Sequence, residues 1–142
     1  MIILDTTVLA YAVGDDHPLR APCRRLLAAH GEGRVTATTT IEVIQEFAHI
    51  RARRRTRSDA VAIARQYLTA FSVLATTADD LERGLTLFEQ HAALGAFDSV
   101  LAAVALERRA QALVSADHAF ASVPGLRWVD PGSAGLGSLI ES

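Results

Sequence analysis

An open α/β fold is predicted by three features of this 142-residue chain. Short apolar runs, too brief for helices, alternate with helical segments; turn or capping residues bound each run; and two of the runs deliver an aspartate at their carboxyl ends. Half of the residues are hydrophobic, which suits one compact domain that buries roughly two-thirds of its unfolded surface. The expected organisation is a single domain over 1–132 with a mobile tail over 133–142.

Taken in order, the first strand is Ile2 to Leu4, three apolar residues suited to burial on both faces. It ends at Asp5, after which Thr6 and Thr7 cap a helix from Val8 to Val13. Gly14-Asp15-Asp16-His17-Pro18 breaks that helix, and acids beside Gly and Pro are read as turn formers rather than ligands. A helix from about Leu19 to His30 carries Cys23 as ordinary packing and stops at Gly31-Glu32-Gly33. Arg34 to Ala37 is the second strand. Thr38 to Thr40 start a third helix whose apolar face is Ile41, Ile44, Phe47, Ala48 and Ile50, with Glu42 and Glu46 one turn apart on a shared flank.

Arg51, Arg53, Arg54, Arg55 and Arg57 follow as the strongest local charge in the chain, leading into a Ser58-capped helix from Asp59 to Ala70. Ser72 to Leu74 is the third expected strand. Thr77 with Asp79-Asp80 is a capping signal for a helix from Leu81 to His91, whose terminal histidine is structural. Leu94-Gly95 marks a turn into an alanine-rich helix with Asp98 in its first turn. The fourth strand, Ala112 to Ser115, ends in Ala116-Asp117-His118 and repeats the opening pattern; the fifth, Leu126 to Val129, follows the Pro124-Gly125 turn.

Composition removes several functional classes. A net charge of −2 and a pI near 6.2 exclude nucleic-acid binding through bulk positive charge. One cysteine cannot form an internal disulfide or a multi-cysteine metal site, and without a basic, apolar leader the chain is expected to be cytoplasmic. No apolar run approaches the roughly 20 residues needed to span a bilayer. All 14 basic residues are arginines, so mechanisms that require an active-site lysine are ruled out.

Taken singly, each remaining acid has an explanation without chemistry: Asp5 as a helix cap, Glu46 as partner of an arginine such as Arg53, Asp98 as a first-turn dipole charge. Together, Asp5, Glu46, Asp98 and Asp117 would form an oxygen-rich pocket that cannot easily stay fully ionised alone. Hard divalent cations such as Mg²⁺ or Mn²⁺ relieve that repulsion, and a water activated beside a phosphate makes such a pocket a hydrolase. The arginine run is read two ways, as a phosphate grip or as a solvated helix end, with an acidic partner segment as a third candidate.

The ordered set Ile3-Leu4-Asp5-Thr6-Thr7, Gln45-Glu46-Phe47, Phe97-Asp98-Ser99 and Ser115-Ala116-Asp117-His118-Ala119-Phe120, followed by Pro124-Gly125-Leu126, resembles the PIN domain, and within it the VapC-type toxin ribonucleases. That resemblance implies a three-layer α/β/α sandwich with a five-stranded, mainly parallel sheet, Mg²⁺-dependent endoribonuclease activity with Mn²⁺ as a substitute, a cognate VapB-like antitoxin, and a homodimer. It implies Asp5 and Asp98 as principal metal contacts, Glu46 and Asp117 completing the quartet directly or through water, and Thr6 near the site. Of the two glutamates, Glu46 is chosen over Glu42, which lies close enough to the helix start to serve only its dipole.

Two rival enzymes of similar architecture fit poorly. A response-regulator receiver needs a lysine and a third-strand acid, neither present, and a haloacid-dehalogenase-type phosphatase needs a second aspartate that Asp5-Thr6-Thr7 does not supply. The alternative from another class is a non-catalytic binding module, with the acids as caps and the arginines docking a protein or nucleic acid. Stabilisation by Mn²⁺ separates the two.

Overall fold

The apolar run Ile2–Leu4 forms β1, and all three residues are buried. A computed structural model describes residues 1–142. Beyond β1 come α1 (Thr6–Val13), α2 (Arg20–Gly31), β2 (Ala37–Thr38), α3 (Ile41–Arg54), α4 (Arg57–Ala70), α5 (Ala78–Gln90), α6 (Ala96–Glu107), β3 (Ala112–Val114), β4 (Trp128–Val129) and α7 (Ala134–Glu141). The strands form one parallel sheet in the order β2-β1-β3-β4. Chain connections leave β1 in one direction toward β2 and resume at β3 on the other side, so the order reverses between β1 and β3. Crevices beyond the carboxyl ends of strands at such a reversal are the usual ligand sites of open α/β sheets.

The sheet has four strands rather than the expected five. Ser72 to Leu74 does run beside β2, but only as an isolated bridge between Thr40 and Leu74. The Thr38 hydroxyl donates to the Ser72 carbonyl at 2.7 Å, so a side chain makes a contact that a backbone ladder would make in a full strand. The second strand is also later than its sequence suggests. Gly33 adopts φ 75° and turns the chain so that Arg34 N–H donates to the Ala29 carbonyl at 2.9 Å; Arg34 and Val35 close the end of α2 instead of extending β2.

The expected mobile tail is instead helix α7, with Leu136, Leu139 and Ile140 buried and the helix packed on α2. The physical reason lies in spacing: these three apolar residues recur at helical intervals and cover part of the core. That core takes in both central strands, Phe47, Tyr67, Phe71 and Phe120. Helix α6 contributes Leu101, Ala102, Ala103, Val104 and Ala105, all buried. Gly84 lets α5 approach α6 closely: a Cβ placed on it would meet Val100 Cα at 2.7 Å. No helix is long and apolar enough to cross a membrane.

Candidate active site

The two strand-end aspartates meet because their strands are neighbours. Register pairs Leu4 with Val114, so Asp5 and Ser115 leave β1 and β3 side by side. Asp5 stands at the N-cap position of α1, yet its side chain makes no capping hydrogen bond. The Ser115 hydroxyl donates to Asp5 Oδ2 at 2.6 Å, and the Thr7 hydroxyl donates to the same oxygen at 3.1 Å. Ser115 Oγ in turn accepts from Asp117 N–H at 3.0 Å, and Thr7 Oγ1 accepts from Ala116 N–H at 3.0 Å. Both hydroxyls therefore tie Asp5 to the loop that carries Asp117, and Asp5 Oδ1 is left without a protein partner.

Asp117 does act partly as a cap. Its Oδ1 accepts from Ala119 N–H at 2.9 Å, opening the short 3₁₀ turn His118–Ser122. Asp98 lies in the first turn of α6, whose N-cap is Gly95. Burial and the charges of Asp5, Asp117 and Glu46 push its carboxyl up to about 7, and a hydrogen bond with Asp117 that favours the protonated form acts the same way. Burial and the Asp5 charge raise the Glu46 carboxyl too, against smaller opposing effects of Thr6 and His49. The four acids thus feel one another across one crevice. Glu42 does not share it: its carboxylate accepts from the Thr76 hydroxyl at 2.8 Å.

A divalent cation fits this arrangement. The donors are all oxygens, burial and the charges of its neighbours hold the Asp98 carboxyl up at about 7, and the buried Thr6 hydroxyl at the crevice wall has no hydrogen-bond partner. No three His, Cys, Asp or Glu side chains stand close enough together to form a ready-made metal site.

The arginine run divides. Arg51 is largely buried and forks onto structure, Nε to Asp59 Oδ2 at 2.6 Å and NH1 to the Val13 carbonyl at 2.8 Å. Arg55 pairs with Asp15 at 2.6 Å, which holds the Asp15 carboxyl below its ordinary range. Arg53, Arg54 and Arg57 are exposed and have no ion-pair partner. The sequence reading missed Ser115 and Thr7 as positioning residues; the signal available for Ser115 was its place two residues before Asp117.

A parallel sheet with carboxylates at its switch point, joined by acids from two flanking helices, defines an acid-lined α/β domain. The chain belongs to the PIN domain family, whose model matches residues 2–126. It is 54% identical over 146 residues to Ribonuclease VapC7 of Mycobacterium tuberculosis, covering 99% of this chain and 98% of that protein. It is 34% identical over 124 residues to Ribonuclease VapC23 of the same species, covering 86% and 97%. Among solved structures, the Mycobacterium tuberculosis toxin VapC20, described as cleaving the sarcin-ricin loop, matches with TM-score 0.72 at 22% identity over 89% of this chain and 99% of that one. VapBC2 from Rickettsia felis, bound to a DNA fragment from its promoter, matches with TM-score 0.71 at 18% identity, covering 92% and 98%. At these identities the structural likenesses speak for the fold.

Proposed function

We propose that this chain is a metal-dependent endoribonuclease that hydrolyses RNA phosphodiesters and acts in the cytoplasm as the toxin of a VapBC-like toxin-antitoxin pair. The observation that carries the reading is that Asp5, Glu46, Asp98 and Asp117, from four separate segments, border one crevice at β1 and β3, where burial and the charges of the other three hold the Asp98 carboxyl at about 7. Near-full-length identity of 54% to a VapC ribonuclease supports it.

In this reading Asp5 and Asp98 hold a Mg²⁺ or Mn²⁺ ion, and Glu46 and Asp117 complete the set directly or through water. When bound, the ion supplies charge neutralisation for the phosphodiester and acidifies water. The protein's own work is positional. Ser115 and Thr7 fix Asp5 Oδ2, and the Ala119 N–H fixes one oxygen of Asp117, so the remaining oxygens are presented without rotamer freedom. The exposed Arg53, Arg54 and Arg57 are placed to meet RNA phosphates, with Arg51 and Arg55 holding the loop beneath them. A VapB-like antitoxin is the proposed partner. A homodimer is proposed on α5, where Leu81, Leu85 and Phe88 recur at helical spacing and are each nearly half exposed, too apolar a stripe to be left in water.

The deciding experiment incubates the chain with total RNA and Mg²⁺ or Mn²⁺, beside Asp5→Asn, and maps the cut ends. Cleavage by the parent and none by the variant is expected. Intact RNA under all conditions, together with no thermal stabilisation by millimolar Mn²⁺, would overturn the reading in favour of a binding module.

A further inference from the structure

Thr6 and Glu46 border a second feature, a groove of about 300 Å³ between α1, the loop after it and α3. That volume is at the small end of the range for small-ligand pockets. The far wall carries Tyr11 and His17, whose rings stack at 4.4 Å with an interplanar angle of 28°. His17 Nδ1 accepts from Leu19 N–H at 3.1 Å, so the neutral ring carries its proton on Nε2 and offers a donor away from the backbone. Arg54 lines the same groove and has no ion pair, whereas Arg51 beside it is bound to Asp59. The rim acid Asp15 is already neutralised by Arg55; Asp16, next to His17, has no ion pair.

We infer that this groove is a nucleobase subsite of the RNA site, in which a base extends the Tyr11–His17 stack and Arg54 meets an adjacent phosphate. The inference rests on the ribonuclease reading and names what holds the strand beside the acids. Its chemistry is that of single-strand binding: aromatic faces accept any base, and an unpaired guanidinium tracks the backbone. Asp16 repels phosphate at the aromatic end, so the base belongs there and the phosphate at the Arg54 end. The paired Asp15–Arg55 rim leaves the groove with a free cation where the strand would pass.

The test uses the full chain carrying Asp5→Asn, expected to leave RNA uncut, and fluorescence anisotropy with labelled single-stranded RNA hexamers and an abasic hexamer in Mn²⁺ buffer. Base-bearing hexamers are expected to bind about tenfold tighter than the abasic one. Tyr11→Leu keeps the apolar volume and should erase that difference while leaving abasic affinity unchanged; Tyr11→Phe should retain it. Arg54→Gln should weaken both probes alike and lessen the salt dependence. If Tyr11→Leu fails to fold by thermal melt, the exposed His17→Ala replaces it. A base preference that survives loss of the stacking ring overturns the subsite, as does a Tyr11→Leu chain that binds RNA normally but loses a protein partner. Cleavage of total RNA by the parent, with no effect of Tyr11→Leu, overturns the subsite and leaves the nuclease standing. A ring-dependent base preference with no cleavage does the reverse.

Discussion

The strand-borne half of the acid crevice and the helix-borne half are held in different ways. Asp5 and Asp117 sit on loops leaving adjacent parallel strands, and their oxygens are met by Ser115, Thr7 and the Ala119 N–H. Glu46 and Asp98 arrive on α3 and α6, are raised by burial, and feel the other acids as repulsion. One half is fixed by short-range hydrogen bonds; the other is held in place by helix packing against its own electrostatic preference. The difference teaches that the strand-borne acids are positioned by bonds that suit their charge, whereas the helix-borne acids are carried into a crevice that works against theirs, which is the repulsion the proposed cation would relieve.

The comparison breaks most completely at Glu46. Glu46→Gln removes a helix-borne charge and is expected to lower metal-dependent RNA cleavage by about a thousandfold or more, measured with labelled RNA in Mn²⁺, in line with a lost electrostatic contact at a reacting phosphate. Retention of parent activity would remove Glu46 from the site. Next in size is the packing that delivers Asp98. Gly84→Ala places a methyl against the Val100 backbone and should cost about 2–3 kcal/mol in urea unfolding, with a fall in cleavage because α6 must move.

The strand-borne half is probed by Ser115→Ala. It withdraws the 2.6 Å hydrogen bond to Asp5, and the expected result is a 10- to 100-fold weaker Mn²⁺ affinity by thermal titration, the usual range for a residue that orients a ligand. Smaller again is the pH dependence of the metal-free chain. A carboxyl raised from 3.8 to about 7 binds a proton in the folded but not the unfolded state between those values. Its contribution is greatest below pH 4 and is lost as pH rises to 7. With solvent screening allowed for, the fall should be between about 1 and 2 kcal/mol, absent in Asp98→Asn. Glu46 slopes the same way, whereas Asp80, lowered to about 2 by Arg108, acts only below pH 4. The smallest effect is expected from Glu42→Gln, less than twofold on cleavage, since its partner is Thr76 outside the crevice.

How much was legible follows from how local each signal is. Ile2–Leu4 and Ala112–Val114 were readable because uninterrupted apolar triplets have no other stable place than a sheet buried on both faces. The Thr77 capping box with Asp80 was readable because its partners are three residues apart. The Ser72–Leu74 strand was overread, because whether an apolar run forms a ladder depends on its neighbour, and here Thr38 answers with a side chain. The tail was underread, because α7 is held by α2, which lies more than a hundred residues earlier.

The sequence by itself determined the alternation of strands and helices, the placement of Asp5 and Asp117 at strand ends, and the four acids as a set worth testing together, since these depend on periodicity and local capping. Tertiary structure alone decided that β1 and β3 are neighbours, that the Glu42 carboxylate, the one not chosen from the sequence, is taken up by Thr76, that Ser115 and Thr7 hold Asp5, and that Arg51 and Arg55 are already engaged. Those outcomes rest on contacts between residues up to 110 positions apart, and a contact of that span is fixed by which faces pack together, which no local pattern contains.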